Sequence, residues 1–185
     1  MKVSDFQENE AALAHEAKAY NVALDDEPAY AAMVGSIVSM FALIEDYAPQ
    51  FLSRLTGLSY QDAHSIMGTF RAFSNRLDLI KAVYKPRGIG SVDAIVGSHY
   101  VGLLNEANRI RNKYAHATYS TTRKSIILKT FSSDYNRGPE QIEQTEADFQ
   151  ADIIRLRRIT AELHGLIHRN EIPRSLHKQL LKLSP

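Results

Sequence analysis

The chain contains no cysteine. This excludes a disulfide framework, a zinc ribbon and any thiol nucleophile, and it fits a reducing compartment such as the cytoplasm. No apolar run approaches the roughly 18 residues that a membrane span requires. The opening Met-Lys-Val-Ser-Asp-Phe-Gln-Glu turns acidic at once and lacks the apolar segment of a signal peptide. Internal repeats, low-complexity tracts and long linkers are missing too. No glycine-rich loop could cradle a phosphate: the segment from Arg87 to Gly90 is a turn before a helix, too short for a nucleotide fingerprint. The expectation is a cytoplasmic protein with no cofactor and no membrane contact.

What is present suffices for a core. The 185 residues are 44% hydrophobic and 23% charged, an ordinary balance for one globular domain without a structural metal. The net charge of +1 hides an uneven distribution. Acidic residues dominate from Asp5 to Glu27, where Lys18 is the only opposing cation. The sign reverses from Arg71 to Arg87, with Arg71, Arg76, Lys81, Lys85 and Arg87 against Asp78. From Arg109 to Lys129, the cations Arg109, Arg111, Lys113, Arg123, Lys124 and Lys129 meet no acid at all. Such a stretch attracts a polyanion, although a solvated surface has the same composition.

Helical periodicity dominates. Pro28 suits a first helical position, and Val34, Ile37, Val38, Phe41 and Ile44 follow at helical spacing until Pro49 ends or kinks the helix. Phe51, Leu52 and Leu55 extend the pattern to Gly57. Ser59 with Asp62 reads as a cap for a second helix through Ala63, Ile66, Met67, Phe70, Phe73, Leu77 and Ile80. Ser91 opens a third, through Ile95, Leu103, Ala107, Ile110 and Tyr114. The β-branched and aromatic stretch after His116 predicts a short hairpin, broken by Asn136, Gly138 and Pro139. A fourth long helix carries Ile142, Phe149, Ile153, Leu156, Leu163 and Ile167. The expected fold is all-α: an up-and-down helical bundle over residues 28–170, with a short β-hairpin between its third and fourth main helices. An acidic N-terminal helix occupies residues 1–27 and a short tail helix residues 171–185.

The third helix has two faces. Leu103, Ala107, Ile110 and Tyr114 form the core stripe. Asn105, Arg109, Asn112 and His116 form a polar line about 200° away, with Arg111 on a flank between the two. His116 is therefore off the apolar stripe. Its plain reading is a surface histidine or one at a subunit contact, and Arg111 reads equally as a helix C-terminal cation favoured by the dipole. No grouping of the remaining histidines with Asp or Glu resembles a metal site. His164 and His168, one turn apart, have a spacing that suits a metal, but a solvated helix face is the simpler reading. Glu45 has no acid paired with it in sequence at catalytic spacing, and reads as an exposed or helix–helix polar residue.

Arg111 and Asn112, three further residues, then His116 resemble the Arg-(four to six residues)-His signature of HEPN domains, in the Arg-Asn-three-His form of RNA-targeting CRISPR effectors, toxins and phage-defence proteins. The motif falls near the C-terminal end of the penultimate main helix, where that family carries it, and Glu45 in Phe-Ala-Leu-Ile-Glu-Asp-Tyr is similar to the family's opening. The likeness covers roughly Pro28 to Ile167, and only the six-residue motif is specific. It implies metal-independent RNA cleavage in which the ribose 2′-hydroxyl attacks the adjacent phosphate. His116 would serve as general acid/base. Arg111 would hold the scissile phosphate, and Asn112 would orient the imidazole or a phosphate oxygen. Arg109 also satisfies the looser spacing and remains open as the phosphate ligand. Lys113 and Tyr119 are further candidates for RNA contact.

In a straight helix Arg111 and His116 stand about 140° apart, an awkward pair within one copy. The family usually joins two motifs across a dimer, so a single motif implies a symmetric homodimer with the polar line at its interface. RNA, a second copy and an antitoxin or regulatory protein are the implied partners. Family members regulated by a nucleotidyltransferase carry a Tyr two residues after the His; here Thr118 stands there and Tyr119 follows. The other reading is a non-catalytic HEPN-like module binding RNA, a nucleotide or a protein.

Overall fold

The computed structural model describes residues 24, 26–87, 91–121, 125–130, 140–169, 172–173, 176–177 and 180. It is mostly helical with one small antiparallel sheet. The helices are α1 (Pro28–Glu45), α2 (Tyr47–Thr56), α3 (Tyr60–Gly68), α4 (Phe73–Tyr84), α5 (Val92–Ala115) and α6 (Glu146–His164). A 3₁₀ turn, Lys85–Arg87, follows α4, and a π turn, Gly165–Arg169, follows α6. The expected helices at residues 1–27 and 171–185 lie almost wholly outside the described residues.

Local chemistry sets the boundaries. The first apolar stretch breaks at Asp46, and Pro49 sits inside the first turn of α2, where a missing N–H costs nothing. Gly57 ends α2 with φ of 75°, a left-handed position that favours glycine, and its N–H bonds the Ser53 carbonyl at 2.8 Å. Ser59 caps α3 by accepting from the Asp62 N–H at 3.1 Å, and Ser91 caps α5 through the Ala94 N–H at 3.1 Å. The single helix expected from Ala63 to Ile80 is two. The Thr69 N–H and hydroxyl both turn back onto the Ile66 carbonyl, closing α3, and Ala72 is extended before α4 begins.

The hairpin is there, as β1 (Ala117–Thr121) against β2 (Ile126–Thr130), but a third strand, β3 (Glu140–Gln144), pairs with β2. Ile142 belongs to this strand and not to the helix, which starts only at Glu146. Thr145 caps that helix, its N–H and hydroxyl both bonded to the Asp148 carboxylate at 2.8 and 2.6 Å. With one apolar residue in five, β3 is held by main-chain pairing and not by an apolar face, so no alternation announces it.

Contacts divide the chain into two compact units. Among the described residues, one comprises those up to Val38 with Ile110–Ile154, and the other Ser39–Arg109 with those from Arg155 on. In the first, Tyr114 and Tyr30 both pack on Phe149, with centroids 4.7 and 5.3 Å away, and Ile126 and Leu128 of β2 are buried. In the second, α2 lies against α3, α4 and the π turn. Tyr100 there is fully buried, stacks on Phe51 at 3.8 Å and donates to the Tyr47 carbonyl at 2.6 Å. One expectation needs correction. Pro28–Thr56 contains an 18-residue window of mean hydropathy 1.5, long and apolar enough by composition to cross a membrane. Alanine, glycine and serine are interspersed there, which hides the apolar content from a search for unbroken runs. Ile37, Phe41 and Ile44 of this stretch are buried in the protein, whereas Leu43 is 56% exposed.

Two tests follow from this packing. A Cβ added at Gly97 would lie 2.6 Å from the base of the buried Tyr84 ring, whereas one at Gly35 meets nothing. Gly97→Ala should therefore cost about 1–3 kcal/mol of stability in urea unfolding. Gly35→Ala, mid-helix and unhindered, should instead add about 0.5–1 kcal/mol. Second, Arg155 forms a two-pronged bond to Glu106, at 2.6 and 2.7 Å, and this bond holds the Glu106 carboxyl below the usual glutamate range. A carboxyl lowered on folding adds stability above its unfolded value, about pH 4.3, and loses it as pH falls through the lower folded value. Glu106→Gln should thus flatten the acid limb of the stability–pH curve and leave its slope near neutrality unchanged.

Candidate active site

Helix α5 carries the motif. Leu103, Ala107, Ile110 and Tyr114 are all buried, as their period requires. Asn105, Arg109, Asn112 and His116 are exposed, and Arg111 is half-buried between the two faces. The polar line of the sequence is thus an exposed line in the structure.

The helix stops at Ala115, and His116 is a turn residue before β1. Helical phase therefore does not apply to His116, and the 140° separation from Arg111 expected for a straight helix does not hold. Arg111 Nη1 lies 3.0 Å from His116 Nε2 and 2.9 Å from Asn112 Oδ1. The arginine and histidine meet within one copy of the chain. A guanidinium can only donate, so in this contact Nε2 is the acceptor. Asn112 acts on the arginine, anchoring the same nitrogen that reaches the imidazole.

The turn at His116 is fixed from both sides. Tyr119 of β1 reaches back and donates its hydroxyl to the Tyr114 carbonyl, one of the unpaired carbonyls at the end of α5. Burial pushes the Tyr119 phenol up to about 12, so it stays a donor. On the core side, Asp152 of α6 accepts from Tyr114 Oη at 2.7 Å and from Lys113 Nζ at 2.9 Å. Burial, and then the bond to Asp152, raise the Tyr114 phenol far above its ordinary value.

These contacts sort the candidates. Arg111, Asn112 and His116 are brought together on the surface. Lys113 is an ion-pair partner of Asp152 as well as a surface cation, and the Tyr119 hydroxyl is engaged by the main chain of α5. Arg109 is exposed, and its charge helps to lower Glu106 after the larger effect of Arg155. Glu45 pairs with Arg76 at 2.6 Å, a polar contact between α1 and α4. Asp152 escaped notice in the sequence because its partners lie 38 and 39 residues away. The only local signal was its place four residues after Asp148. Among the described residues no group of three or more His, Asp or Glu could hold a metal ion.

Comparison with known protein families, with curated proteins and with solved structures finds no match. The chemistry of the site therefore rests on its own residues. Tyr119→Phe removes one hydrogen bond from the end of α5. It should lower stability by about 1 kcal/mol in thermal unfolding and shift the imidazole resonances of His116, while Thr118→Ala, on the same strand, leaves them in place.

Proposed function

We propose that this chain is a metal-independent endoribonuclease of the HEPN type, a toxin or defence effector that works as a symmetric homodimer. The observation that carries the reading is the Arg111 Nη1 to His116 Nε2 contact of 3.0 Å on an exposed helix end, with Asn112 bonded to the same nitrogen. Cleavage by the ribose 2′-hydroxyl needs a group that takes its proton, a cation at the phosphate and an acid for the leaving 5′-oxygen. The Nε2 of His116, the acceptor in that contact, suits the first task. The Arg111 fork suits the second, since it matches a phosphate with two parallel N–H bonds and neutralises the charge that builds up during attack. Arg111 is preferred to Arg109 as the phosphate ligand because it is the arginine bonded to the histidine. The finer description of the fold, an up-and-down HEPN bundle with a small sheet inserted before its last main helix, belongs to the same proposal.

The case for two copies now has a different basis. Arginine and histidine pair within one chain, so geometry does not demand a partner for them. Proton bookkeeping does. In-line displacement places the attacking and leaving oxygens on opposite sides of the phosphorus, and one His116 cannot face both. A second copy supplies the second imidazole, which enters the step as the imidazolium and gives its proton to the leaving 5′-oxygen.

Purified protein should cut single-stranded RNA in the presence of EDTA, leaving 2′,3′-cyclic phosphate ends. Arg111→Ala and His116→Ala should each lower the rate at least about 100-fold, and Asn112→Ala should lower it less. Undiminished cutting by both variants removes the motif from the mechanism. RNA binding without cutting by the wild type points to the non-catalytic module.

A further inference from the structure

The end of α6 carries chemistry that the ribonuclease reading does not use. His164 closes that helix, and His168 lies four residues on, inside the π turn. Their ring centroids are 4.5 Å apart, with the planes tilted by 43°. Tyr47 of α2 lies beside both, its ring centroid 6.5 Å from that of His164 and 6.4 Å from that of His168. The turn is held as well: Arg54 Nη1 donates to the carbonyls of Leu166 and Ile167. Single π turns are rare, and they occur often at functional positions.

The partners of these two rings differ from those of an ordinary surface histidine. His99 has an acid, Glu162, at 2.7 Å. The ion pairs among the described residues include neither His164 nor His168. Each has the other ring and a phenol, so two imidazoles stand side by side with lone pairs to offer. With metal–nitrogen bonds of about 2.0 Å and ring centres about 1.1 Å beyond, two imidazoles in neighbouring positions of a square coordination plane put their centroids about 4.5 Å apart. That is the observed spacing. Tyr47 Oη lies 3.5 Å from His164 Nδ1, the kind of outer partner that orients metal-bound imidazoles and leaves Nε2 available.

We propose that His164 and His168 form a two-nitrogen site for a late first-row divalent cation, Cu²⁺ above all, with the remaining coordination positions open to water or an exogenous ligand. Imidazole suits these ions, and at a given nitrogen site Cu²⁺ is the tightest binder of the series. With two protein ligands the site is weaker than a four-ligand structural one. It shares no residue with the Arg111–Asn112–His116 motif, and the RNA-cleavage reading stands or falls without it.

The test is titration of the full chain with CuCl₂ in a non-coordinating buffer, followed by calorimetry and electron paramagnetic resonance. The wild type should take up one Cu²⁺ per chain at this site, with a signal from two nitrogens. His168→Asn should weaken binding at least tenfold and leave a one-nitrogen signal, and the double variant with His164→Asn should abolish this uptake. Circular dichroism establishes that the variants are folded, and in EDTA His168→Asn should cut RNA at the wild-type rate if the wild type cuts. Equal Cu²⁺ affinity in the wild type and the double variant, or no stoichiometric uptake by the wild type, overturns the proposal.

Discussion

The end of α5 at Ala115 is the constraint on which the motif depends. A helix terminus leaves carbonyls without partners, and here a phenol from the next strand supplies the donor. Because β1 begins at Ala117, the chain must leave the helix within the single residue His116. That residue is thereby swung out of helical phase and back towards Arg111. Moving the terminus by one residue in either direction would present the imidazole in another direction. The apolar face of the same helix, with Tyr114 wedged against Phe149 and bonded to Asp152, keeps the terminus from sliding.

The sequence makes most of this legible where a period or a cap is involved. The buried stripe from Leu103 to Tyr114 and the exposed line from Asn105 to Asn112 follow from 3.6-residue spacing, and the caps Ser59 and Ser91 from their hydroxyls. Reading failed where a pattern was extended past the element that generates it. Phase arithmetic carried beyond Ala115 kept Arg111 and His116 apart. The stripe of α6 extended back to Ile142 swallowed a strand whose pairing is all main chain. Proline chemistry alone places an end or kink of the first long helix at Pro49, whereas the break comes at Asp46 and the proline sits in the turn that follows.

Long-range partners were invisible for a different reason. Nothing in the run from Arg109 to Lys129 hints at an acid, yet Asp152 neutralises Lys113 from another helix. The basic character that suggested a polyanion is therefore smaller at this helix end than a linear count implies. Electrostatics read along a chain records charges in the order of synthesis. Recognition depends on which of them the fold leaves without an opposite.

The contact between Arg111 and His116 has one further consequence. A guanidinium nitrogen that already holds an imidazole and an amide oxygen is engaged at rest. An incoming phosphate competes for it, and the more firmly the arginine turns to that anion, the more completely the imidazole lone pair is released. On the proposed reaction the base would be uncovered by the arrival of the group it serves: the site is latched by its own components, and the substrate is the key.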